Sequence, residues 1–144
     1  MANGKATNAH VSHDPMAPPG GMGGTKITAA PVNERPLDCG ARIIKLVEAL
    51  PRSLGARRIA AQLLRRSIAV GAHYEGAQAG ESRDDFVHKL QRPLKELRES
   101  NYSLRLLGRA GIIPAKRLES ILDESNQLKA MLSKAVVTTK RRLQ

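Results

Sequence analysis

Tryptophan is absent from this chain, phenylalanine occurs once and tyrosine twice, so aromatics make up only 2% of its 144 residues. Sandwiches and barrels spend many aromatic and β-branched side chains on their strands, so the scarcity argues against them. The single cysteine, Cys39, excludes an intramolecular disulfide and fits a reducing compartment. No apolar run approaches the roughly 20 residues that span a bilayer. The N-terminus has no apolar core of signal-peptide type. A soluble, cytoplasmic protein is expected. Walker loop, Rossmann fingerprint, nucleophile elbow and zinc-ligand spacing are all missing, so no enzymatic activity and no cofactor are expected. Acid is also short: 13 Asp and Glu stand against 24 Lys and Arg, a formal net charge of +11.

What the chain does contain is Ala, Leu, Arg, Lys and Glu, the residues of helices. An all-α protein follows, and the length suggests one domain. A sequence pI near 10.5 attracts polyanions, whether nucleic acid, an acidic protein or an anionic membrane surface.

Residues 1–35 stand apart. They carry Pro15, Pro18, Pro19 and Pro31, and a glycine cluster at 20, 21, 23 and 24. Their branched aliphatics are Val11, Ile27 and Val32, too few to offset ordering entropy, so disorder is predicted. His10 and His13 fall in this tail and are read as incidental.

Residues 36–144 read as the folded domain. A first helix is predicted over Pro36–Leu50, with Ile43, Val47 and Leu50 on one face and Pro51 as its stop. A second begins near Ser53, a good N-cap. It carries Ile59, Leu63, Leu64, Ile68, Val70 and Tyr74, then becomes rich in small residues through Gly71, Gly76 and Gly80. Interior glycines cost about 1 kcal/mol each relative to Ala, so tight packing within the bundle or between subunits is expected at Gly71 and Gly76, and a turn at Gly80. The third helix opens on Ser82 and Asp85, a capping-box-like pair. Its large apolar residues fall at 86, 90, 94, 97, 104 and 107, which is helical spacing. The stripe stays in phase past Pro93, so a kink rather than a break is predicted there. Gly108 and Gly111 end it. A fourth helix starts at Pro114 and carries Leu118, Ile121, Leu122, Leu128, Met131, Leu132 and Val136. Short connections between four amphipathic helices give an antiparallel up-down four-helix bundle.

Candidate chemistry is sparse. A di-iron bundle needs two Glu-x-x-His motifs and two further carboxylates. Asp85 and His88 form one acidic-x-x-His pair with no second, and Glu75 and Glu81 are the nearest spare carboxylates, so no metal site is assigned. Cys39 sits near a helix start, where a thiolate is favoured, but no partner motif surrounds it. The basic residues remain. Arg57, Arg58, Arg65 and Arg66 recur after seven to nine residues, and Lys134, Lys140, Arg141 and Arg142 form a second cluster. Such side chains can hold phosphates without reading sequence. Aromatics interleaved for base stacking are not apparent, so binding directed at the backbone of RNA or DNA is expected.

Three blocks carry a resemblance: Ser67-Ile68-Ala69-Val70-Gly71-Ala72-His73-Tyr74-Glu75, then Glu81-Ser82-Arg83-Asp84-Asp85-Phe86-Val87-His88-Lys89-Leu90, then Lys95-Glu96-Leu97-Arg98-Glu99-Ser100-Asn101-Tyr102-Ser103-Leu104. In order and spacing they resemble the four-helix bundle proteins encoded within intervening sequences of bacterial 23S ribosomal RNA genes, over about residues 37–140. The resemblance implies a homo-oligomer, as a pentameric ring, with a basic surface suited to nucleic acid. It also implies a structural kinship to the accessory variability protein of diversity-generating retroelements, and hence a reverse transcriptase or other acidic protein as an alternative partner. The chain departs from the family pattern at His73 (usually Asn), at Ser103 (usually Trp) and at Pro93 (usually a helix former).

Overall fold

A computed structural model describes residues 34–143. The expectation of disorder over 1–35 lies outside them except at Glu34 and Arg35, which form the start of the first helix.

The described residues fold into α1 (Arg35–Glu48), α2 (Leu54–Gln78), α3 (Arg83–Arg109) and α4 (Ala115–Leu143). Local chemistry sets their ends. Ser53 Oγ accepts the Ala56 N–H at the start of α2, and Ser82 Oγ accepts the Asp85 N–H at the start of α3 at 3.1 Å. Asp85 Oδ2 answers by accepting the Glu81 N–H at 3.2 Å. The first bond satisfies a donor that a helix start leaves unpaired, and the second ties down the residue before the cap. Between α2 and α3 the chain turns at Gly80, where an added Cβ would lie 2.9 Å from both Ala77 O and Asp85 Oδ2. Gly111, at φ +70°, turns the chain from α3 to α4. Pro114 precedes α4 by one residue rather than sitting in its first turn.

α3 continues through Pro93 without a break. The proline ring is buried, so its packing offsets the backbone bond it removes.

Each helix packs on its chain neighbours, and α1 closes the ring against α4. This is an antiparallel up-down four-helix bundle. Leu63, Leu90, Leu104, Leu107, Leu118, Leu128 and Leu132 fill its centre, fully buried. Each such side chain contributes about 1.5–3 kcal/mol by leaving water. With no tryptophan and little Phe, the core is built from leucine layers.

α1 is short. Its 14 residues span about 21 Å, whereas the 29 of α4 span about 44 Å. Its first turn already lies beside the middle of α4: Arg35 donates to Gln127 Oε1 at 2.9 Å. Further along, Arg42 reaches Glu124 and Ser120. Half of the bundle therefore has four helices and the other half three among the described residues.

Gly71 and Gly76 do not pack tightly inside the bundle. A Cβ at either would meet nothing within 4 Å. Gly71 lines an open groove toward α1 and Gly76 one toward α3, so the expected close approach within the protomer is absent.

Candidate nucleic-acid interface

The positive charge belongs to the bundle. The first 33 residues contribute only Lys5 and Lys26 against Asp14. Ion pairs absorb little of the excess. Among the described residues they are Arg42–Glu124, Arg66–Glu99 at 3.1 Å and Lys89–Asp85 at 2.9 Å.

The basic residues singled out from the sequence do not form one patch. Helical positions turn by about 100° per residue, so Arg58 and Arg65, seven apart, share one exposed line on the outer side of α2. Arg57 and Arg66, nine apart, face about 180° away from each other. Arg57 is exposed, but Arg66 is half-buried against α3. There it donates to Ser103 Oγ at 3.4 Å and pairs with Glu99, although its Nε is out of line for a hydrogen bond. Glu99 withdraws Arg66 from the surface set. Lys134, Lys140, Arg141 and Arg142 are exposed along the last turns of α4. That is the opposite end of the bundle from Arg57 and Arg58. Leu118 packs beside Gly108 at the end where α2 begins, and Lys140 lies 22 residues further along, roughly 33 Å.

A third basic feature escaped the sequence reading. His88, Gln91, Lys95, Arg98, Tyr102, Arg105 and Arg109 recur at alternating steps of three and four along α3, and all are exposed. Tyr102 is 65% exposed. An aromatic is therefore interleaved with cations on α3, unlike in the basic clusters of α2 and α4. The spacing of these polar residues was the available signal. The apolar stripe of the same helix masks it in the sequence.

Beside the middle of this ridge, α3 and α4 enclose an open cleft of about 550 Å³, lined by Arg98, Tyr102, Arg105, Leu122, Asn126 and Lys129, with Asn101 at its floor. Asn101 is buried and held at both ends of its amide: its Oδ1 accepts from Ser125 Oγ, and its Nδ2 donates to Asn126 Oδ1 at 2.8 Å.

Other groups are held in structural roles. Asp85 caps α3 and binds Lys89. The hydrogen bond from Lys89 holds its carboxyl below the usual carboxylate range, against a weaker opposing effect of burial. Cys39 is buried one turn into α1, and burial pushes its thiol up despite Arg42 and Arg35 nearby. Among the described residues no group of three or more His, Cys, Asp or Glu could hold a metal ion, and no helix is long and apolar enough to cross a membrane. His73 and His88 instead line a groove of about 510 Å³ between α2 and α3 with Lys89, Arg92 and Lys95. Ser103, where the family pattern has Trp, is buried at the α2–α3 contact.

A contrasting groove of about 370 Å³ lies between α1 and α2, lined by Leu37, Gly40, Ala41, Ile44, Ile68 and Gly71 among others. Leu37 and Ile68 are mostly exposed there.

Comparison with known proteins places this architecture. The family model described as 23S rRNA-intervening sequence protein matches residues 32–134. The chain belongs to that family. A solved structure from Bacteroides thetaiotaomicron, described as a protein of unknown function from the S23 ribosomal protein family, is similar at 29% identity. The similarity covers 74% of this chain and 98% of that one, with a TM-score of 0.65. No curated protein matches.

Proposed function

We propose that this family member is a non-enzymatic bundle that binds RNA or DNA through backbone phosphates. The observation that supports the reading is an outer surface whose cations outnumber their partners: Arg58, Arg65, Arg98, Arg105 and Lys129 have no ion pair among the described residues. Phosphates supply the missing anions, and released counterions drive the association. The test is titration with random-sequence RNA at two salt concentrations. Binding that weakens steeply with salt, and weakens across all sequences on reversing charge at Arg58 and Arg65, is expected. Affinity that is unchanged by salt and by these substitutions refutes the reading.

A second reading is a protein–protein role, as a homo-oligomer such as a pentamer or as an accessory subunit for an acidic partner such as a reverse transcriptase. The exposed apolar groove between α1 and α2 favours it, since such patches mark association sites. Light scattering of the wild type and Ile68→Asp tests self-association: a fall in mass on substitution supports it, and a monomer in both cases refutes it.

A further inference from the structure

We propose that the cleft between α3 and α4 binds single-stranded nucleic acid, with one base stacked on Tyr102 and the flanking phosphates held by Arg98, Arg105 and Lys129. This rests on the nucleic-acid reading above and deepens it by naming the strand state and the site.

Four observations converge on the cleft. Tyr102 presents its ring to solvent at 65% exposure, although a side chain of its size has a large apolar area to hide. The guanidiniums of Arg98 and Arg105 flank it four residues before and three after, about 4–6 Å of helix rise on either side. Lys129 and Asn126 face it from α4 across an open cavity of about 550 Å³. Asn126 Oδ1 is occupied by Asn101. Its amide orientation is therefore set, and its NH₂ remains a donor toward the cleft.

These parts match what a single strand offers. Both faces of a base within a duplex are covered by its neighbours, so an aromatic ring on a rigid helix has nothing to stack on. An unpaired base has a free face, and stacking on an aromatic is tolerant of base identity. Phosphates on either side of the stacked base meet cations on both sides of Tyr102. The ridge continues the path: Lys95 and His88 lie beyond Arg98, and Arg109 beyond Arg105, a run of about 31 Å from end to end. The Asn126 donor adds a mild preference for bases with an acceptor on the exposed edge.

The chain is suited to a direct test because it has no tryptophan and only two tyrosines. Tyr74 is 4% exposed and accepts a hydrogen bond from Gln78 Nε2 at 2.7 Å. A base that stacks on protein therefore quenches the emission of Tyr102 alone. Full-length protein is titrated with a single-stranded oligouridylate and with a blunt RNA duplex of equal charge, following tyrosine emission and anisotropy of a labelled strand. The single strand is expected to quench emission and the duplex not to. Tyr102→Phe should keep single-strand affinity and lose the quenching. Tyr102→Ala should weaken single-strand binding by about 5- to 150-fold and leave duplex binding unchanged. If both strand types bind with steep salt dependence and Tyr102→Ala changes neither, the cleft assignment fails while phosphate binding stands. If neither binds at any salt concentration, both readings fail together.

Discussion

Two of the grooves of this bundle, α1–α2 and α3–α4, are made from the same kind of helix and come out as opposites. Between α1 and α2 the lining is mainly Leu37, Ile44 and Ile68 with Gly40, Ala41 and Gly71, and Glu75 is its one charged side chain. Between α3 and α4 it is Arg98, Arg105, Lys129, Tyr102 and two asparagines. The first is mostly small and apolar, with a single carboxylate. The second has long, cationic side chains over a polar floor. On the proposed reading, one scaffold separates two tasks. Largely apolar surface suits contact with another apolar surface, while unpaired cations beside a single aromatic suit a strand of phosphates and bases.

The contrast can be broken most forcefully at the cationic groove. Arg98→Ala with Arg105→Ala should reduce single-strand affinity by at least about tenfold, and should lower the slope of log affinity against log salt by about 1.4. Ile68→Asp in the other groove should leave both quantities unchanged. Equal losses from the two grooves would erase the division of labour.

The next effect concerns the floor of the cleft. Asn101→Ala leaves the buried Ser125 hydroxyl without its acceptor and should destabilise the fold by about 1–3 kcal/mol, read by urea unfolding.

A smaller change sharpens the apolar side. Gly71 lies mid-helix with nothing near the place of a Cβ, so Gly71→Ala should stabilise an isolated protomer by about 0.5–1 kcal/mol. If another chain packs on this groove, the methyl group meets it and the sign reverses. Thermal unfolding at low and high protein concentration separates the two cases.

The smallest effects are in pH. Tyr74 lines the apolar groove, and burial pushes its phenol above the ordinary value of 10.0, outweighing its hydrogen bond from Gln78. A raised folded value favours the protonated state, so this contribution is complete at neutral pH and disappears as alkali titrates Tyr74. Asp85 works in the other direction. Its lowered carboxyl stabilises the fold above the ordinary carboxylate range, and this is lost as pH falls through the folded value. Denaturant midpoints measured across pH should fall at both extremes, and Tyr74→Phe should flatten the alkaline limb.

The helices were legible because their signals are local. Ser53 and Ser82 cap where the sequence says they should, Pro51 and Gly80 punctuate, and the apolar stripe of α3 runs past Pro93. The surface was less legible because it depends on which helix lies beside which. Four arginines in two adjacent pairs on α2 look like one cluster in sequence, yet Arg66 turns toward Glu99 and Arg57 away from it. Gly71 and Gly76 suggest crowding, but they line open grooves. Tyr102 reads as one polar-faced aromatic among many helix formers until α4 places Asn126 and Lys129 opposite it.

Asn101 carries a consequence for how any guest must behave. One amide clasps two successive residues of α4, so sliding the helices past each other by a turn would strand several polar atoms in a dry seam. The gap between the facing cations is thus a fixed ruler. If a strand docks here as proposed, adjustment falls to the incoming polymer, which has to bend to the spacing it finds, and stiffer polymers are disfavoured by their own rigidity.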